Sequence, residues 1–445
     1  MQGRTISWSW GGETLKNNGN CTMSKNSSAP IVKNRWRLID RLARKALLAR
    51  LQKITYGQIR IIDSEADFIF GDQQQPQAPM VQIKVLDATF YPEVAFGGTV
   101  AAGEAYMQGY WNCSSLTDLV RIMVRNRQVL DGLESPLTGF KTSLFRLVHW
   151  LNRNSQDGSR RNIRAHYDLG NDMFETFLDP SMMYSSAYYP EHTSTLNQAA
   201  EAKLKRICDK LQLSSSDHVI EIGSGWGGFA IYTASHYGCR VTTTTISKQQ
   251  YDMAQQRIAA AGLEDRITLL MKDYRDLEGR YDKLVSIEMI EAVGHQYLDT
   301  YFAKCSSLLK PDGIMLIQAI TIADQNYDRS LKSVDFIQRF IFPGGFIPSV
   351  SAIANSIKKA TDMRLFNLED IGPHYAKTLE HWRQGFFDNI EQVKALGYSE
   401  QFVRMWEFYL CYSEGGFLER VLGDVQLVFV KPQNRIDWRL SVPNP

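Results

Sequence analysis

The sequence predicts an α/β fold, in which a doubly wound parallel sheet fills the carboxyl-terminal part of the chain and a smaller α+β domain precedes it. Beyond about residue 162, short apolar segments alternate with helical ones at the spacing of strand–helix–strand units. Before residue 130, several short segments alternate apolar and polar residues, as half-buried strands do. The length of 445 residues is more than one domain usually needs, which agrees with two domains.

Two segments flank the predicted amino-terminal domain. Residues 1–34 are rich in Gly, Ser, Asn and Thr and lack an apolar core, so they predict a disordered tail and not a signal peptide. Residues 131–161 carry Gly, Ser and Asn near their ends and predict a linker with one helix around Phe145–Leu151. Between these segments, residues 35–130 form the α+β domain, for which we expect a lipid-contacting or dimer-contacting role.

The small domain begins with an amphipathic helix, predicted over residues 35–53. Helical segments rich in Leu and Ile follow between Ala102 and Asn126. The strands predicted from alternation are Gly57–Ile62, Phe68–Phe70, Val81–Val85 and Val94–Phe96.

Residues 162–435 predict the larger, Rossmann-like domain. Right-handed crossovers place its ligand crevice at the carboxyl ends of the parallel strands. In chain order the predicted elements are helix Gln198–Leu211, strand Val219–Ile222, a helix ending at Tyr237, strand Arg240–Thr245, helix Lys248–Ala261, strand Ile267–Met271, strand Lys283–Ile287, helix Gln296–Leu309, strand Gly313–Ala319 and the terminal strand Gln426–Val430.

Composition excludes some classes of function. The formal net charge of +2 argues against a nucleic-acid-binding protein, because no general basic excess exists. The six cysteines have no paired or His-linked spacing, which predicts a reducing compartment and no metal site. No run of about 20 apolar residues is present to span a bilayer. Basic residues are concentrated in one segment, Lys33–Lys53. This segment predicts either a helix on the membrane surface or a packing helix with a solvated basic face.

A glycine-rich segment, Glu221–Gly228, follows the first predicted strand of the large domain and opens a helix. Glycines at this place let the backbone turn sharply and approach a ligand closely. A dinucleotide site also needs an acidic residue after the second strand, and Thr242–Thr245 supply none. Glu221 before the glycines and Asp273-Tyr274 after the third strand therefore favour a nucleoside-binding methyltransferase over an NAD-binding protein.

From His166 to Pro432 the chain closely resembles the cyclopropane-fatty-acyl-phospholipid synthases, the family of the mycolic acid cyclopropane synthase-like methyltransferases. The plant-type branch is the most similar. The motifs that carry the resemblance are, in order, His166–Leu169, Tyr184–Tyr188, the glycine loop, Thr245–Ser247, Asp273–Arg275, Glu288–His295 and Ile341–Gly345.

The resemblance implies an S-adenosylmethionine site and a long apolar pocket for an acyl chain. Glu221, which precedes the glycine loop, is assigned to the same cofactor site. The residues expected to line it are Tyr184, Ser185, Glu221, Gly223, Gly225, Gly227, Thr245, Ile246, Gln250, Asp273 and Tyr274.

The chemistry implied by the resemblance is methyl transfer to an alkene. A carbocation results, and aromatic faces can stabilise it; Tyr184, Tyr375 and Tyr412 are the candidates. A base then removes a proton from the transferred methyl group to close a cyclopropane ring. The family's base is a bound bicarbonate, for which Glu291 and Tyr375 match the expected holders.

Three further residues of the implied catalytic set depart from the family pattern. Ser186 stands where many members have cysteine, Gln318 where many bacterial members have histidine, and Ser413 where a cysteine is common. Ser and Gln can still donate hydrogen bonds to an anion. Because histidine is a possible proton acceptor, its absence leaves the product open between a ring and a methyl- or methylene-branched chain.

The resemblance also implies the partners of the protein. The expected substrate is an unsaturated phospholipid within a bilayer, reached by a cytoplasmic protein peripheral to the inner face of the membrane. A homodimer is possible, and no nucleic-acid partner is expected. A catalytically silent protein that binds lipid or cofactor is the alternative from a different class.

Overall fold

The computed structural model describes residues 36–72, 78–133 and 170–435. The predicted tail, the helix around Phe145–Leu151 and the motif His166–Leu169 lie outside the described residues.

The amino-terminal domain is a small sheet packed against helices. Its strands are β1 (Gln58–Ile62), β2 (Asp67–Gly71), β3 (Met80–Val85) and β4 (Trp111–Cys113), and its helices are α1 (Leu38–Leu51), α2 (Phe90–Met107), α3 (Leu116–Arg125) and α4 (Arg127–Leu133). The strand order is β2-β1-β3-β4, with β1 and β3 parallel. Ala43, Leu47 and Leu51 recur every four residues on α1 and are buried, as the amphipathic pattern predicts.

The predicted strand Val94–Phe96 is wrong, because these residues lie inside helix α2. This helix is buried over most of its circumference, so its apolar residues show no helical period. It kinks at Gly98, where φ is +66°. The stretch predicted to be helical from Ala102 is also interrupted by β4.

The larger domain has the predicted doubly wound α/β architecture. Its strands are β5 (His218–Ile222), β6 (Arg240–Thr245), β7 (Ile267–Met271), β8 (Tyr281–Ile287), β9 (Leu309–Ile322), β10 (Arg364–Asp370) and β11 (Leu422–Val430). Its helices are α5 (Asn171–Glu175), α6 (Leu196–Leu211), α7 (Gly228–Tyr237), α8 (Lys248–Ala260), α9 (Leu298–Leu308), α10 (Asp324–Ser330), α11 (Val350–Ala360), α12 (Gly372–Asp388), α13 (Ile390–Ala395) and α14 (Glu400–Leu418). Short 3₁₀ turns cover Tyr274–Asp276, Ile290–Ala292 and His295–Tyr297, and a π-helical turn covers Ile337–Ile341.

The strand order of the larger sheet is β10-β11-β9-β8-β5-β6-β7. Neighbouring strands from β9 to β7 are parallel, and β11 is antiparallel to both β9 and β10. The chain leaves β5 towards β6 on one side, whereas β8 pairs with its other side. Ligands of such sheets bind at this switch point, beyond the carboxyl ends of the strands.

The amino-terminal domain packs against α14 of the larger domain. The Thr117 hydroxyl on α3 donates a hydrogen bond to buried Glu414 at 3.0 Å, and Tyr106 on α2 donates to Glu407 at 2.7 Å. At Gly415 the helices approach so closely that an added Cβ would lie 2.7 Å from Val120. The two domains therefore share a tightly packed interface.

We expect Gly415→Val to destabilise the protein by about 1–3 kcal/mol, because the added side chain must push α3 away from α14. Gln401→Val, at an exposed position of the same helix, is the control for helix propensity and should change stability by less than about 0.5 kcal/mol. Urea unfolding measures both. Equal stability of the two variants would contradict the close packing at this interface.

Candidate active site

The glycine loop between β5 and α7 has a backbone that demands glycine. Gly223, Gly225 and Gly227 have φ values of +99°, +48° and +87°, which residues with a Cβ rarely adopt. The amides of Gly223 and Ser224 both donate to the carbonyl oxygen of Thr244, at 3.1 and 2.8 Å, and tie the loop to the end of β6. The loop therefore offers bare backbone at the switch point of the sheet.

Polar side chains at the ends of β5 and β6 flank this loop. The Thr243 hydroxyl donates to the buried Glu221 carboxyl at 2.6 Å. Burial raises the pKa of Glu221 to about 8, against the lowering effects of Thr243 and Lys203. The Thr245 hydroxyl donates to the Gln250 side chain at 2.9 Å, which fixes this amide at the start of α8.

Asp273 and Tyr274 follow β7, as predicted. The Asp273 carboxylate accepts hydrogen bonds from the Arg275 guanidinium at 2.8 and 2.9 Å. The Tyr274 ring packs edge-on against Tyr301, with centroids 5.3 Å apart. Burial raises the pKa of Tyr274 above its usual range, so its hydroxyl keeps its proton.

Aromatic side chains form a wall between the glycine loop and α14. The Tyr184 hydroxyl lies 2.8 Å from that of Tyr409, and its ring centroid is 5.1 Å from that of Trp382. Tyr375 stacks on Phe417 with centroids 4.5 Å apart. The rings predicted to face a carbocation, Tyr184, Tyr375 and Tyr412, all line one cavity.

This cavity, of about 720 Å³, connects the glycine loop to the interior of the amino-terminal domain. Its far end is lined by Leu47, Leu51, Ile59, Ile61 and Ile83 of that domain. Most of the remaining wall is also apolar. The amino-terminal domain thus contributes one end of the pocket as well as packing against α14.

A buried carboxylate at the end of β8 lies beside the aromatic wall. The Oε1 atom of Glu288 accepts from the Ser186 amide and from Gln318 Nε2, both at 2.8 Å. Its Oε2 atom accepts from the Tyr375 hydroxyl, also at 2.8 Å. Glu288 has a φ of +47°, a conformation that non-glycine residues rarely adopt and that is found at functional sites.

Glu291, three residues further on, lies in the 3₁₀ turn that follows. Its Oε1 atom accepts from the Ile320 amide at 2.6 Å, whereas its buried Oε2 atom has no hydrogen-bond partner among the described residues. Burial, reinforced by the charge of Glu288, raises the pKa of Glu291 to about 8. Glu291 is therefore mostly protonated at neutral pH.

Lys203 and Asp424 complete this buried charge cluster. Lys203, on α6, is buried, and this burial lowers its pKa to about 8 although Glu288 and Asp424 favour its charged form. The Asp424 carboxylate accepts from Gln318 Nε2 at 3.0 Å. Burial and the charge of Glu288 raise the pKa of Asp424 far above its usual range. Burial raises the pKa of Glu288 as well, against the lowering effects of Lys203 and of its three hydrogen-bond donors.

The structure brings most of the predicted cofactor residues to the cavity wall. These are Tyr184, Ser185, Glu221, Gly223, Gly225, Thr245, Ile246, Gln250, Asp273 and Tyr274, together with the predicted catalytic residues Glu291, Tyr375 and Ser413. Gly227 is not among the residues that line the cavity, and it lies at the start of α7. The hydroxyl of Ser185 is engaged by Lys203, which donates to it at 2.6 Å.

The predicted bicarbonate does not fit the donors expected to hold it. The Ser186 amide, Gln318 and Tyr375 all donate to Glu288. The Ser186 hydroxyl donates to the Ala187 carbonyl oxygen at 3.0 Å, and Ser413 is not part of this network. A free anion would have to displace the Glu288 carboxylate.

Glu288, Lys203 and Asp424 were not predicted as site residues. Glu288 does stand within the Glu288–His295 motif. Lys203 interrupts the apolar face of α6 between Ala200 and Leu204, a sequence signal for a buried charge. Asp424 gives no such signal, because its role depends on contacts distant in sequence.

The strand order and glycine loop define the fold of S-adenosylmethionine-dependent methyltransferases. The chain belongs to the mycolic acid cyclopropane synthetase family, whose model matches residues 154–427. This membership confirms the resemblance found in the sequence.

Known relatives resemble both parts of the chain. A tuberculostearic acid methyltransferase of Mycobacterium tuberculosis is 34% identical over 92% of this chain and 98% of its own length. The cyclopropane-fatty-acyl-phospholipid synthase of Escherichia coli is 39% identical over 78% of this chain and 87% of its own length. A mycolic acid cyclopropane synthase solved with SAH and CTAB has 31% identity and a TM-score of 0.56, covering 61% of this chain and 98% of that structure.

We expect Glu291→Gln to weaken the pH dependence of stability. The folded state holds the Glu291 proton up to a pKa of about 8, whereas the free side chain has a pKa of 4.5. The contribution of this raised pKa to the free energy of unfolding is therefore present at low pH and is lost as pH rises from about 5 to 8.

Urea unfolding at pH 5.5 and pH 8 measures the effect. The loss of stability across this range should be smaller in Glu291→Gln than in the wild type, by on the order of 1–3 kcal/mol. Glu278→Gln, at an exposed position, is the control and should follow the wild type. An unchanged slope in Glu291→Gln would contradict the raised pKa.

Proposed function

We propose that this protein transfers a one-carbon unit from S-adenosylmethionine to the cis double bond of an unsaturated phospholipid acyl chain. The observation that carries the proposal is the continuous cavity that joins the glycine loop to an apolar channel ending in the amino-terminal domain. One end suits a nucleoside and the other suits a hydrocarbon chain. The names of the relatives, which include a tuberculostearic acid methyltransferase and a cyclopropane-fatty-acyl-phospholipid synthase, support this assignment.

When bound, S-adenosylmethionine would supply an electrophilic methyl group. The residues of the chain would bind the cofactor and orient the reacting groups. The bare backbone at Gly223 and Gly225, with Asp273 and Tyr274, would hold the nucleoside. Tyr184 would orient the reacting centre, since an alkene reacts only when its π electrons are aligned with the methyl group.

The apolar cavity would then protect a carbocation from water. Tyr184, Tyr375 and Tyr412 present rings to the same space, where their faces can stabilise a positive charge. The product depends on how the cation loses its proton. Loss from the transferred methyl group closes a cyclopropane ring, and loss from a neighbouring chain carbon gives a methyl-branched alkene. A methylene branch forms if a hydride first shifts from the methyl-bearing carbon to the cationic carbon and the methyl group then loses a proton. We favour the ring and keep the branched chain as the second product, because one relative is named as a tuberculostearic acid methyltransferase.

Cells that express the protein and receive methionine labelled in its methyl group should accumulate labelled phospholipid acyl chains. Mass spectrometry with fragmentation distinguishes a ring from a branched alkene. Gly223→Val is the control that should abolish labelling, because it combines a φ of +99° with an added Cβ 3.2 Å from Met289.

Absence of labelled lipid from the wild-type protein, with S-adenosylhomocysteine binding intact, would overturn the proposal. That result would favour the alternative of a silent lipid-binding protein.

We further propose that α1 contacts the membrane, on the cytoplasmic face. No helix in the described part of the chain is long and apolar enough to cross a bilayer. On α1, however, Leu38, Ile39 and Leu42 are 75%, 49% and 58% exposed, while Leu47 and Leu51 of the same helix line the cavity. The helix therefore links an exposed apolar surface to the acyl pocket. The proposed homodimer has no comparable support.

The basic residues of α1 differ in their roles. Arg41 is exposed, with 65% of its side chain accessible, and can meet anionic lipid. Arg44 instead donates to Asp63 at 2.8 and 2.9 Å and lies 5.0 Å from the centre of the Trp36 ring. A change at Arg44 would therefore disturb the domain rather than test lipid contact.

We expect the triple variant Leu38→Ser, Ile39→Ser, Leu42→Ser to bind phosphatidylglycerol-containing vesicles at least about tenfold more weakly than the wild type, because apolar area that enters the bilayer is lost. Sedimentation with vesicles measures this. Leu365→Ser with Leu368→Ser, at exposed positions on β10, is the matched control and should sediment like the wild type. Equal sedimentation of the triple variant would remove α1 from the proposed contact.

A further inference from the structure

The carboxylate of Glu288 lies among Ser186, Gln318 and Tyr375, the residues expected from the family resemblance to hold a bound anion. Three donors from separate elements converge on it: the amide of Ser186, the side-chain amide of Gln318 and the hydroxyl of Tyr375. These residues are 102, 30 and 87 positions away in the chain. Such convergence on one carboxylate requires the tertiary fold and is not a local turn.

The backbone that positions this carboxylate has an unfavourable conformation. Glu288 has a φ of +47°, and its amide donates to the Gln318 carbonyl oxygen at 2.8 Å, which extends the pairing of β8 with β9 by one residue. Left-handed backbone is unfavourable for a residue with a Cβ and is kept only where the surrounding structure holds it. The surrounding hydrogen bonds maintain this conformation at a residue that lines the cavity.

We propose that Glu288 is the catalytic base of the reaction, and that its carboxylate takes the place of an exchangeable bicarbonate. This inference rests on the proposed function. A Glu288 carboxylate oxygen would accept the proton of the carbocation, and the electron pair of the broken C–H bond would form the new C–C or C=C bond. The carboxylate becomes a carboxylic acid, S-adenosylhomocysteine is the other product, and the proton later passes to solvent.

The charges around Glu288 suit this role. Burial raises the pKa of Glu288, while the charge of buried Lys203 and the hydrogen bonds from three donors act in the opposite direction and favour its ionised form. Burial also raises the pKa values of Asp424 and Glu291, and the charge of Glu288 raises both further. Glu288 and Lys203 are therefore the pair of opposite charges that this cluster can hold.

Glu291 is the alternative base, since its Oε2 atom is buried without a hydrogen-bond partner among the described residues and its side chain lines the cavity. The argument against it is that, among the described residues, only the Ile320 amide donates to its carboxyl group, whereas three donors support the ionised form of Glu288. Activity near neutral pH should therefore depend on Glu288 much more than on Glu291.

The test uses the full chain, vesicles of unsaturated phospholipid and methyl-labelled S-adenosylmethionine, in buffer stripped of carbon dioxide and with bicarbonate restored. The wild type should have the same turnover in both buffers. Glu288→Gln keeps the shape and an oxygen acceptor but loses the base, so its turnover should fall by about 100-fold or more. Its affinity for S-adenosylhomocysteine, measured by calorimetry, should stay close to that of the wild type.

Glu288→Gly is the second variant, because glycine adopts a φ of +47° without strain and leaves the three donors free. Its turnover should be low in stripped buffer and should rise at least about tenfold when bicarbonate or formate is added, since a small anion can then occupy the vacated site. This rescue also shows that the variant has folded.

Two outcomes would overturn the role of Glu288 while leaving the proposed function standing. One is a wild type that loses turnover in stripped buffer and regains it with bicarbonate. The other is Glu288→Gln with wild-type turnover. No labelled lipid from the wild type in either buffer would instead overturn the proposed function, and the role of Glu288 with it.

Discussion

The burial of three carboxyl groups beside one lysine is the constraint on which this site depends. The carboxyl groups of Glu288, Glu291 and Asp424 lie together in a largely buried position, with Lys203 as their buried counter-charge. A cluster of this kind is stable only if most of its acids keep their protons or receive several hydrogen bonds. The Ser186 amide, Gln318 and Tyr375 donate to Glu288, and Gln318 also donates to Asp424. The cluster therefore joins α6, β9, α12 and β11.

The same burial serves the proposed chemistry. A carbocation survives only in a cavity without water, and a carboxylate held by fixed donors in such a cavity needs little reorganisation when the proton arrives. The amino-terminal domain contributes by closing the far end of the pocket and by packing α2 and α3 on α14. Lipid contact, proposed for α1, and enclosure of the acyl chain would then be two properties of one domain.

Local patterns were sufficient to predict the framework. The strands β5 to β8 were predicted because the apolar run of a buried parallel strand is visible in the local sequence. The glycine loop was predicted because its glycines directly follow such a run. β10 escaped prediction because it is an edge strand with charged ends and little burial, so Arg364–Asp370 shows no apolar alternation. The prediction failed at Val94–Phe96 because α2 is apolar on nearly every side, which removes the period that distinguishes a helix from a strand.

The residues of the site also differ in how far the local sequence predicts them. Residues of the cofactor end follow one another along motifs, whereas the partners of Glu288 come from four separate segments of the chain. Sequence placed Ser186, Gln318 and Tyr375 around an anion but could not show that the anion is a side chain. That fact depends on a positive φ at Glu288 and on contacts up to 102 residues apart, which no local pattern encodes.

A crystal structure of the complex with S-adenosylhomocysteine, grown with bicarbonate present, would show whether a side chain or a free anion occupies the donors around Glu288. We expect the nucleoside at the glycine loop, and the Glu288 carboxylate hydrogen-bonded to the Ser186 amide, Gln318 and Tyr375 with no separate anion on these donors. Planar carbonate density on the three donors, with the Glu288 side chain turned away, would contradict this expectation.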